Sequence, residues 1–154
     1  MKKLKIAAVV ALAVLVECAG IAFAVKHFPW RKNERILLSL MHEFKGVVSE
    51  HADIVEDQSV YGKLIGNGNG IQYFGCVLIL KDSLKDEEAL LEELGERFES
   101  VGCCRQEGQE ISEKYLEHRR LQYDTPIDDG QTYLTVYFFN SRHPDSHEWD
   151  VAGH

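Results

Sequence analysis

Four groups of residues in this 154-residue chain have the types and spacing to do chemistry. The first is Gly66-Asn67-Gly68-Asn69-Gly70, which alternates the two residue types that best tolerate a left-handed backbone. Such a stretch either turns the chain or cradles a phosphate. A dinucleotide fingerprint needs its glycines directly before a helix, because the helix N-terminus holds the phosphate. Here the glycines run into "IQYFGCVLIL", a β-prone sequence. No Gly-Lys-Ser/Thr follows, which excludes a P-loop. The pattern predicts a hairpin connection in which Gly and Asn supply positive φ angles. Five residues exceed what a two-residue turn requires, so a ligand-contacting glycine loop is the alternative.

The second group, His118-Arg119-Arg120, is the one cationic cluster in an acidic region. It could receive an anion or pair with nearby glutamates. The third comprises His143, His147 and His154, interleaved with Asp145, Glu148 and Asp150. Residues four apart, as His143 and His147 are, can share a metal if they lie on a helix. Pro144 and the polar composition argue against that helix and for a solvated tail.

The fourth group is Cys76, Cys103 and Cys104. Cys103 and Cys104 are adjacent, so on a strand they point to opposite faces. If the strand carrying Cys76 neighbours theirs, Cys76 can bridge one of them, which outside the cytoplasm would be a structural disulfide. Buried free thiols are the alternative. No C-x-x-C motif is present. Nor is there a G-x-S-x-G elbow or an S-x-x-K. The sequence therefore assigns no catalytic residue and no cofactor. It reads as a binding module, with a small enzyme or a ligand- or metal-binding module using Gly66–Gly70 or the C-terminal histidines as the alternative.

Charge narrows the partners. The formal net charge is −8, unevenly spread. Up to Arg35 there are seven Lys/Arg against two acidic residues; beyond it, ten against twenty-three. A body this acidic repels nucleic acid, which is set aside as a partner.

The elements that would position these groups begin with a leader. A basic n-region, residues 1–5, precedes "IAAVVALAVLVECAGIAFAV", residues 6–25, whose one charge is Glu17. At 1.5 Å per residue this stretch reaches about 30 Å, the thickness of a bilayer core. It is read as a transmembrane anchor, with the lipid bilayer as partner. The alternative is a signal peptide cleaved after Ala22-Phe23-Ala24, yielding a secreted protein. Lipidation at Cys18 is disfavoured by Glu17 before it, where a small residue belongs. Basic residues on both flanks nearly balance the positive-inside rule, and the short N-terminal tail favours an extracytoplasmic domain. The inverted topology, with the domain in the cytoplasm and reduced cysteines, is the other option.

Residues 26–35 read as a basic juxtamembrane linker in which Pro29 breaks the membrane helix. The globular domain is placed at 36–142 and a polar tail at 143–154. Leu37, Leu40/Met41, Phe44 and Val47/Val48 fall at helical spacing, with Asn33 as a cap. "HADIVEDQ" is acidic and unpatterned and reads as linker or helix end. Strands are expected over Val60–Ile65 and Ile71–Leu80. A helix capped by Ser83 follows, carrying Leu84, Leu91, Leu94 and Phe98 on one stripe. Strands at 101–108 and 131–141 come next, and residues 109–125 are ambiguous between helix and strand. The order predicts an α+β domain of two layers: a mostly antiparallel sheet of four or five strands with two helices on one face.

Overall fold

The computed structural model describes residues 2–66, 70–127 and 130–147, and the side chains within those ranges except at 2–11 and 25–29. It is an α+β structure. A single long helix, α1 (Lys2–His51), leads into β1 (Ile54–Gly62) and β2 (Gln72–Leu80). A short 3₁₀ turn over Lys81–Ser83, then α2 (Glu87–Gly95) and β3 (Ser100–Gln106), follow. The chain continues through β4 (Glu110–Ile111), β5 (Leu121–Gln122) and β6 (Tyr133–Asn140). The main sheet has the order β1-β2-β6-β3, and every neighbouring pair is antiparallel. β4 and β5 form a separate two-stranded ribbon.

The helical stripe is where its spacing predicts. Ile36, Leu37, Met41, Phe44, Val47 and Val48 are buried at intervals of three and four residues. They meet Leu90 and Leu94 of α2, Phe98 after it, and the facing side chains Tyr73, Val77, Ile79, Leu134, Val136 and Phe138 of the sheet. Both helices thus lie on one face, as expected.

The layer count differs from the expectation. β2 is buried along all but its last residue, so its alternate side chains find a second core. Phe74, Cys76, Leu78, Tyr133 and Phe139 on that other face are covered by Leu64, Ile111, Leu116 and Tyr123. The ambiguous stretch after β3 is this cover: ribbon and turns, not helix. A third layer forms because central strands that are apolar on both faces must be shielded twice.

Three local expectations are also corrected. The helix continues through Pro29 instead of breaking there. A proline removes one backbone hydrogen bond, and the helix is continuous on both sides of it. "HADIVEDQ" is helix end only at His51, where α1 finishes, and strand from Ile54, where β1 starts. As an edge strand it is only half buried, so its apolar alternation is faint, while backbone pairing with β2 holds it in register. The cap of α2 is Asp86, which accepts from Ala89 N at 3.1 Å. Ser83 Oγ instead donates to Leu80 O at 2.8 Å and accepts from Asp53 N at 3.1 Å.

Among the described residues no helix is long and apolar enough to cross a membrane. Of the apolar stretch 6–25, side chains are described only for 12–24, which span about 20 Å at 1.5 Å per residue.

Gly75 on β2 lies directly under Met41 of α1. A Cβ there would overlap Met41 Sδ and the Phe138 ring. Gly75→Ala is therefore expected to destabilise the domain by about 1–3 kcal/mol through overpacking, read as a lowered urea midpoint with unchanged slope. Unaltered stability would show that α1 is not seated against β2 as described.

Candidate functional site

The connection between β1 and β2 is the glycine-asparagine stretch, so the described part of it sits in a hairpin connection. Gly70 has φ 92°, a conformation glycine adopts without strain. Asn67, Gly68 and Asn69 lie outside the described residues. The loop is held at its root by Gln72, whose Oε1 accepts from Leu64 N at 2.7 Å and Ile65 N at 2.9 Å.

The fold brings this loop against the cationic cluster. Glu117 Oε2 accepts from Gly66 N at 2.7 Å, and His118 N donates to Leu64 O at 3.2 Å. A Cβ on Gly66 would stand 3.0 Å from Glu117 Oε2 and 3.4 Å from His118 Nε2. Two stretches some fifty residues apart thus share one corner of the cover layer. Beside them opens a hollow of about 310 Å³, lined by residues 110–113 and 116–120, among them His118, Arg119 and Arg120. Glu110, Glu113 and Glu117 also line it, so the rim carries both signs of charge. Arg119 Nε is buried and has no hydrogen-bond partner among the described residues.

A buried polar chain positions the wall of this hollow. Gln106 Oε1 can only accept, and Thr135 Oγ1 donates to it at 2.8 Å. Thr135 Oγ1 must then accept from the Tyr123 hydroxyl, 3.2 Å away. Gln106 Nε2 in turn donates to Gly108 O, and to Glu110 O at 2.9 Å. The chain ties β6 and β5's end to the turn before β4. Burial, with Cys76 beside it, pushes the Tyr123 phenol far above its ordinary range. The hydroxyl therefore stays a donor at every physiological pH.

A second tie holds the far end of the cover. Burial tends to raise the pKa of Glu56 on β1, but hydrogen bonds outweigh it. Asp124 N donates at 2.9 Å, Thr125 N at 2.8 Å and Gln58 Nε2 at 3.0 Å, and together they hold the carboxyl at about 2.

The cysteines are placed differently from the bridging expectation. All four are free. Cys76 faces Tyr137 across the β2–β6 pairing, whereas Cys103 and Cys104 face Val136 and Thr135 from the other side of β6. One strand therefore separates the groups, about 9.5 Å at the usual spacing, beyond the ~7 Å a disulfide tolerates. Burial pushes the thiols of Cys76 and Cys103 up to about 12 and raises that of Cys104. The adjacent pair does split between faces: Cys103 packs on the helix side, and Cys104 lines a hollow next to Thr135.

His143 and His147 do not lie on a helix. Ser146 N donates to His143 O at 2.9 Å, closing a turn, and His143 stands edge-on to Tyr73 with ring centroids 6.5 Å apart. Among the described residues no group of His, Cys, Asp and Glu is arranged to hold a metal ion, and His154 lies outside them. The described part of the segment, residues 143–147, is tied to α1. Asn33, expected as a helix cap, is completely buried inside α1. Its Nδ2 donates to His147 O at 3.0 Å, and its Oδ1 accepts from His147 N at 3.1 Å and Tyr73 Oη at 2.9 Å. The clue was available: Asn33 precedes Leu37 by one helical turn and so lies on the apolar stripe. The hollow's acidic members carried no such signal, because glutamates are common throughout the domain.

Compared with protein-family models, curated proteins and solved structures, the chain matches none of them.

Two outcomes follow. Glu56 has its pKa lowered on folding, so it contributes stability above about pH 4.5 that is lost as pH falls toward 2. Urea midpoints measured across this range should fall for the wild type. Glu56→Gln should be weaker by about 1–2 kcal/mol at neutral pH and lose stability less steeply on acidification. Equal slopes would remove Glu56 as the latch. Second, with thiols near 12, Cys76 and Cys103 are about one part in ten thousand thiolate at pH 8. Alkylation monitored by mass should reach both only after denaturation, and an oxidant should yield no link from Cys76 to Cys103 or Cys104. Fast native labelling of Cys76 would contradict its placement.

Proposed function

We propose that this is a small envelope-associated protein, tethered to a bilayer by residues 6–25, whose α+β domain is displayed outside the cytoplasm and acts by binding instead of catalysis. The carrying observation is the surface of α1 ahead of the domain. Leu12, Leu15, Val16, Ile21 and Phe23 are each more than 60% exposed. Leaving such side chains in water forgoes about 1.5–3 kcal/mol apiece, a penalty that a hydrocarbon environment removes. The apolar run 6–25 with Lys2, Lys3 and Lys5 before it supports the same reading, and Trp30, 42% exposed, suits the interface beyond it. Glu17 opposes it by roughly 2.5–3.5 kcal/mol at mid-bilayer, less than the apolar gain.

Binding is favoured over catalysis by the chemistry of the cover layer. Its hollow offers arginine and glutamate side chains, while the nearby thiol of Cys104 is held in its poorly nucleophilic form. The hollow beside Gly66 is the ligand site in this reading.

The core-facing part of α1 begins at Asn33. A chain starting at residue 30 should therefore fold and remain in solution, judged by circular dichroism and sedimentation. The full-length chain should sediment with membranes and resist high-salt and alkaline washes. Recovery of the full-length chain in the soluble fraction, leader intact, would overturn the tether.

A further inference from the structure

We propose that the hollow beside Gly66 selects a small zwitterion, a carboxylate and an ammonium group borne on one molecule of amino-acid or dipeptide size; this rests on reading that hollow as the ligand site. Its volume of about 310 Å³ lies at the lower end for small-molecule sites. Arg119 and Glu110 line it together, yet no ion pair joins either to another described residue. Opposite charges in one hollow that leave each other unpaired are complementary to a ligand carrying both.

The remaining carboxylates are partly engaged. Glu117 accepts from Gly66 N at 2.7 Å, and Glu113 accepts from Lys114 N at 2.9 Å. Arg119 lines the hollow, and its guanidinium carries terminal N–H donors besides the buried Nε. A carboxylate can take two guanidinium N–H bonds at once. The three glutamates on the rim disfavour a dianion such as phosphate and favour a monoanion whose other end is positive. The carboxylate would meet Arg119, supported by Arg120, and the ammonium would meet Glu110.

The test uses the full-length chain in detergent micelles and three probes: glycylglycine, N-acetylglycylglycine and inorganic phosphate. Binding is followed by NMR at Ile111 and Leu116, which line the hollow. Glycylglycine should bind saturably, and more tightly than either other probe. Arg119→Met should weaken it about tenfold or more, the loss of one charge-assisted contact. Glu110→Gln should weaken glycylglycine and leave N-acetylglycylglycine unchanged. The thermal midpoint of Arg119→Met should stay the same or rise, since an unsatisfied donor is removed. A marked fall would assign Arg119 to the fold and sink the proposal. Equal binding of all three probes would replace it with a general anion site. Shifts at Ile111 and Leu116 that ignore both substitutions would keep the hollow but reject the zwitterion. No shift with any probe up to about 10 mM, where weak sites fill, would reject both.

Discussion

The constraint on which the rest of this structure depends is that β2 and β6 are apolar on both faces. Water must be kept from Tyr73, Val77 and Ile79 on one side of β2 and from Phe74, Cys76 and Leu78 on the other. Each face needs its own cover, and the chain supplies two of different kinds. Helices α1 and α2 close the first with regular stripes. The second is closed by an irregular segment, so its shape depends on individual hydrogen bonds more than on periodicity.

That difference explains where the polar contacts concentrate. An irregular cover leaves backbone groups that no ladder satisfies, and buried ones must find partners. Gln106, Thr135 and Tyr123 provide a directional chain beneath the ribbon, while Glu56 collects the backbone amides of Asp124 and Thr125. Asn33 serves the same purpose at the helix, presenting a side-chain amide to the backbone of His147. The site lies in the cover layer for a related reason. Helix against sheet packs densely, and Gly75 shows how little space remains there. Loops joined by side chains leave a hollow, and the charged residues that a regular core would exclude can line it.

Much of the fold was legible in the amino-acid order. The stripe Leu37–Met41–Phe44–Val48, the β-branched runs that become β2 and β6, and the hairpin role of the glycine stretch all follow from local periodicity and turn chemistry. The end of β1 was visible from Val60, but its start at Ile54 was hidden because an edge strand needs apolar residues on only part of its length. The ambiguity of residues 109–125 was physical: helix formers sit there, but the pull of an uncovered apolar face overrides local propensity. For the site, Gly66 and the His118–Arg120 cluster were visible singly, while their meeting was not.

The sequence by itself determined the charge asymmetry, the apolar leader, the strongly patterned helices and strands and the α+β class, since each is a property of neighbours along the chain. Only the tertiary structure decided that β6 would lie between the cysteine-bearing strands, that the second face would be roofed by residues after β3, and that Gly66 would touch Glu117. Those outcomes depend on which distant segments bury one another's surfaces. Such pairing is set by the fit of whole faces, and no short stretch of residues carries that information.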